Sequence, residues 1–127
     1  MESQKLEIQI NELADKIDVP LGLIPKINEA NDYAKPFIDV GVGDIFYYVI
    51  RECGVEYERI LYKDKDELLY RIFKDITFEM VANDELKNRN NHQDFRIILF
   101  KKQEELMRLL DDHWGGLIKS ENDKYME

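Results

Sequence analysis

A chain of 127 residues suffices for one domain and is too short for two comfortable cores; at this length about two thirds of the unfolded surface can be buried without help from a disulfide or metal. Its 18 Lys and Arg stand against 27 Asp and Glu, a formal net charge of −9 that repels nucleic acid and anionic lipid. Solubility is a sufficient reason for that charge, and attraction of a basic partner is the other. The lone Cys53 argues against a bridge-stapled secreted scaffold. No run approaches the about 20 apolar residues of a membrane span, and MESQKLEIQI lacks a basic-then-apolar leader, so a cytoplasmic protein is expected.

Leu6, Ile10, Leu13, Ala14 and Ile17 recur at helical spacing behind Ser3, a candidate N-cap, and predict an N-terminal helix packed by one stripe. Val19-Pro20 and Ile24-Pro25 break the pattern, and the stretch to Lys35-Pro36 reads as an irregular connection over an edge of the core. Phe37–Val40, Ile45–Glu52 and Val55–Tyr62 are rich in β-branched and aromatic residues, and Cys53-Gly54 suits a two-residue hairpin turn. Counting out from that turn opposes Glu52 to Val55, Ile50 to Tyr57, Tyr48 to Arg59 and Phe46 to Leu61, a mostly apolar face expected to meet the helices. The other face then carries Tyr47, Val49, Arg51, Glu56, Glu58, Ile60 and Tyr62.

Residues 64–81 form the strongest pattern, a helix with Leu68, Leu69, Ile72, Phe73, Ile76 and Met80 on one stripe. Asp64 is its candidate N-cap, Glu67 stands at capping-box spacing, and Asp66 complements the positive end of the dipole. Phe78 lies opposite the stripe, which points to a second helical layer. The asparagine-rich stretch to Asn91 reads as a frayed end and a turn, and a last long helix begins near Gln93-Asp94. Phe95, Ile98, Leu99, Leu106, Leu109, Leu110 and Trp114 form its stripe, with Arg96 and Gln103 inside the apolar arc. A guanidinium there requires a partner, and Glu85, Asp66 and Asp94 are the candidates. Gly115-Gly116 is the expected stop, leaving 117–127 as a short polar tail or a last helical turn. The whole predicts one α+β domain over 1–127: an N-terminal helix, a small antiparallel sheet of about three strands, then a central helix and further helices packed on one face of the sheet.

Chemistry-bearing patterns are sparse. His92 and His113 are far apart without a ligand at helical spacing, and Gly41-Val42-Gly43 lacks the rest of a phosphate-binding loop. Cys53, Ser3 and Ser120 lack the setting of an activated nucleophile. The acids Asp64, Asp66 and Glu67 are explained by helix capping, although a small metal-assisted hydrolase or nucleotide-handling enzyme would use the same cluster.

Two blocks carry a family resemblance. The first runs from Val49-Ile50-Arg51-Glu52-Cys53-Gly54 through Glu58-Arg59 to Asp66-Glu67-Leu68-Leu69-Tyr70, Phe73, Thr77, Phe78 and Met80. The second comprises Glu85-Leu86, Arg89, Gln93-Asp94-Phe95-Arg96, Leu99-Phe100, Gln103, Leu106 and Trp114. In the order and spacing of these residues the chain resembles the immunity protein 63 family of bacterial polymorphic toxin systems. It departs from that pattern at its end, where Gly115-Gly116 and a short tail stand in place of a charged helix. The resemblance implies a non-catalytic cytoplasmic inhibitor that binds the C-terminal domain of a cognate toxin, without cofactor, metal, nucleic acid or membrane. An acidic inhibitor suits a basic toxin surface such as a nuclease's. The expected contact surface is the exposed hairpin face, Tyr47, Glu56, Glu58 and Tyr62, with neighbouring Asp64. Glu67, Leu69, Phe73, Phe78, Arg89, Asp94, Phe95, Arg96, Gln103 and Trp114 are expected to be structural. An interaction protein without a toxin partner is the remaining alternative.

Overall fold

The computed structural model describes residues 2–87 and 95–125. In chain order they form α1 (Glu2–Lys16), a short 3-10 turn (Leu21–Leu23), β1 (Lys26–Ile27), β2 (Phe37–Val40), β3 (Phe46–Glu52), β4 (Val55–Tyr62), α2 (Lys65–Lys87), α3 (Phe95–Leu110) and α4 (Asp112–Tyr125). The α+β arrangement agrees with the sequence. The sheet has the order β1-β2-β3-β4, with β1 parallel to β2 and the other pairs antiparallel. The prolines conceal β1: Lys26 and Ile27 pair with Phe37 and Ile38 in a stretch the sequence gives as irregular.

One core joins the sheet to all four helices. Leu6, Ile10 and Ala14 of α1 meet Ile38, Phe46 and Tyr48 of the sheet, Leu68, Ile72, Phe73 and Ile76 of α2, Met107 and Leu110 of α3, and Trp114 and Ile118 of α4. Each large aliphatic or aromatic side chain buried in this way contributes roughly 1.5–3 kcal/mol, and α2 supplies the largest share. Trp114 stacks on Phe73 with ring centroids 6.2 Å apart and meets Tyr70 edge-on, which fastens α4 to α2. Ser3 falls inside α1 rather than before it.

The hairpin departs from the counted register at one residue. Cys53 and Gly54 both have positive φ, 50° and 81°, as a two-residue turn of this hand requires. Glu52 faces Val55 and Arg51 faces Glu56, but Ile50 faces Glu58, so Tyr57 is an extra, bulged residue. Beyond it every β4 side chain changes face. Tyr48 opposes Ile60 and Phe46 opposes Tyr62; Arg59 and Leu61 point away from the helices, while Glu58, Ile60 and Tyr62 lie on the helix side. A bulge carries no compositional signature. The shift keeps Arg59 from being buried under α2, and Glu58 is tolerated there because an arginine of α2 meets it.

Three further expectations change. Gly115-Gly116 does not end a helix: α3 stops at Leu110, Asp111 accepts from the backbone N–H of His113, and α4 runs through both glycines to Tyr125. The chain therefore has a full closing helix where the sequence suggests a short polar tail or a last helical turn. Phe78 is 47 % exposed rather than covered by a second layer. Arg96 lies on the exposed side of α3, so its guanidinium carries no burial cost.

Candidate functional site

Both faces of β4 carry a triad of one guanidinium and two carboxylates. On the face away from the helices, Arg59 donates from Nε to Glu56 Oε1 at 2.8 Å and reaches Asp39 at 3.5 Å from Nη2, lying 5.3 Å above the Tyr47 ring. The Glu56 hydrogen bond, reinforced by both carboxylate charges, raises the Arg59 pKa above its ordinary value. The three groups are well exposed, so each pair contributes under about 1 kcal/mol to stability. Their net charge is negative.

On the helix side, Arg71 of α2 bridges Glu58 at 2.9 Å and Asp75 at 3.0 Å, with its guanidinium 4.8 Å above the Tyr48 ring. The Tyr48 hydroxyl donates to Asp75 at 2.7 Å. Burial, then the charge of Asp75 and this hydrogen bond, push the Tyr48 pKa far above 10. Burial by itself lowers the Arg71 pKa, but the bonds to Glu58 and Asp75 outweigh it and the net shift is upward. This cluster fixes α2 on the sheet through groups that satisfy one another. Its i,i+4 pair, Arg71 and Asp75, is visible in the sequence; its link to Glu58 depends on the bulge.

At the far end of β4 lies an open cleft lined by Tyr62, Asp64, Glu67, Tyr70, His113 and Leu117, among others. Asp64 caps α2, accepting from the Asp66 N–H at 2.9 Å, and Asp66 faces Trp114 Nε1 at 3.5 Å. Tyr70 donates to Glu121 at 2.6 Å and Lys74 pairs with the same carboxylate at 3.3 Å; burial first, then Glu121, raises the Tyr70 pKa. Two of the acids considered for catalysis thus cap or face neighbouring groups. Among the described residues there is no cluster of three or more His, Cys, Asp or Glu fit to hold a metal ion.

The residues expected to form one contact surface are split. Tyr47 and Glu56 share the face away from the helices, Glu58 is half-buried beside Arg71, and Tyr62 and Asp64 line the cleft. Arg59 and Asp39 join Tyr47 and Glu56, a grouping that needs β2 and β4 on either side of β3. Of the residues expected to be structural, Leu69, Phe73, Gln103 and Trp114 are buried, and Glu67 is exposed in the cleft. Gln103 is 2 % exposed; it donates to the Lys74 carbonyl at 2.9 Å and to Thr77 at 3.3 Å, and accepts from Asn122 at 3.1 Å. Arg89, Asp94 and the Phe95 side chain lie outside the described residues, as do the Glu85 and Asp94 carboxylates considered for Arg96.

The geometry describes an α+β domain in which the ionic groups of β4 and α2 pair with one another and the sheet ends in a charged edge strand. The family model for Immunity protein 63 matches residues 43–124, which is most of the chain, and the protein belongs to that family. The matched span runs from just before β3 through α4, so the hairpin, the triads and the α2–α4 docking all fall inside it. Comparison with curated proteins and with solved structures gives no match.

Proposed function

We propose that this protein is a non-catalytic immunity protein of a bacterial polymorphic toxin system, acting in the cytoplasm by binding the C-terminal domain of its cognate toxin and blocking it. Family membership over residues 43–124 carries the reading. The chemistry is consistent with it: the Tyr48–Arg71–Asp75–Glu58 groups are tied to one another, and Asp64 is engaged as a helix cap. Aromatic and acidic side chains, meanwhile, are displayed along the hairpin. The proposed contact surface is the β4 side of the sheet, with Tyr47 and Glu56 on it and Tyr62 and Asp64 at its end; half-buried Glu58 acts through Arg71. A net charge of −9 favours a basic toxin surface, such as one that binds phosphates.

This reading expects a long toxin gene with a variable C-terminal domain immediately upstream. That domain should arrest growth when expressed alone and be harmless when co-expressed with this protein, and the two should co-purify. Undiminished toxicity and no complex would overturn the proposal.

A further inference from the structure

β4 forms one edge of the sheet. This strand is eight residues long, the longest in the sheet, and it stands at the end of the order β1-β2-β3-β4. Among the described residues its backbone pairs only with β3. An edge of this length presents a row of unpaired N–H and C=O groups, and proteins ordinarily shorten, cover or charge such an edge. Here the edge is charged by Glu56, Glu58 and Arg59, and exposed apolar side chains stand among the charges: Val55 is 50 %, Tyr57 68 % and Leu61 46 % exposed.

The charges beside it select the occupant. On one face of β4 the guanidinium of Arg59 is shared by Glu56 and Asp39, and on the other that of Arg71 is shared by Glu58 and Asp75. Carboxylates outnumber guanidiniums two to one in each triad, so the strand carries residual negative charge on both sides. A strand laid beside β4 would direct successive side chains to alternate faces, toward one triad and then the other. Lysines or arginines at those positions meet a surplus carboxylate, and Tyr57 and Leu61 supply apolar contact between them. A second copy of this chain instead adds its own net charge of −9 to the same surface.

We propose that β4 is extended by an added β-strand carrying basic side chains, contributed by the toxin domain; this rests on the immunity reading above. The test is amide hydrogen exchange of the full chain, alone and bound to the C-terminal domain encoded immediately upstream. Bound, the edge-facing amides of residues 55–62 should slow by about tenfold or more, as expected when exposed amides enter a ladder, while those of β2 stay unchanged. A complex that leaves β4 exchange untouched overturns strand addition and leaves the immunity reading standing. No complex at all overturns both. Dimer formation by the free protein, with β4 protection that rises with concentration, would assign the edge to a second copy and overturn the proposal.

Discussion

Adjacent glycines in α4 do opposite things. Gly115 is buried against α3, where an added Cβ would collide with Cγ of Arg108 and crowd its Cβ and Cδ; Gly116 is exposed with nothing near it. Overpacking costs about 1–3 kcal/mol, while replacing a mid-helix glycine by alanine gains about 1 kcal/mol of helix propensity. Gly116→Ala should therefore stabilise the protein by roughly 0.5–1 kcal/mol and Gly115→Ala destabilise it by about 1 kcal/mol, read from urea midpoints at constant slope. Equal gains for both would mean that Arg108 swings aside freely and that the close approach of α4 to α3 has no consequence. The pair reads as a helix stop in sequence because glycine is a weak helix former; the reason for Gly115 is a contact with another helix, which no local pattern contains.

At the scale of elements, Gln103 is the tie among three helices, bonding the α2 backbone and Thr77 on one side and Asn122 of α4 on the other. Gln103→Met keeps the volume and removes the bonds, leaving the Asn122 amide buried without its acceptor, a loss of about 1–3 kcal/mol. Because both residues belong to one network, Asn122→Leu combined with Gln103→Met should cost less than the sum of the two. Additive losses in a thermal or urea denaturation cycle would show that the two amides act independently. Gln103 is the kind of residue sequence can flag, a polar group inside an apolar arc, though not one whose partner it can name. Arg96 falls in the same arc and is exposed, since the arc's edge is set by where α3 meets its neighbours. α1, α2, most of α3 and β2 to β4 are legible because composition and period decide them, whereas α4 is hidden by its two glycines. Two-residue β1 is too short for a period, and the Tyr57 bulge shifts half a strand without changing its composition. The misplacement of Glu58 and Arg59 follows from that one residue, and with it the splitting of the expected contact surface.

For the whole molecule, the question is whether its charge acts as a sum or at a place. A net charge of −9 speeds encounter with any basic partner, and the effect fades as ionic strength shortens the screening length to about 10 Å at 0.1 M. Stopped-flow association with the proposed toxin partner should accordingly slow several-fold between low and high salt, with dissociation little changed. Glu56→Lys on β4 and Asp15→Lys on α1 each shift the net charge from −9 to −7, since one negative charge becomes one positive in either case. Both positions are exposed, but α1 borders β1, at the opposite edge of the sheet from β4. If the net field alone steers the partner, both variants slow association equally. If the partner docks along β4, Glu56→Lys slows it far more at low salt, and the two converge as screening removes the long-range part. Parity between the variants across all salt concentrations would move the contact off β4 and leave the acidity of this protein as a matter of solubility and general attraction.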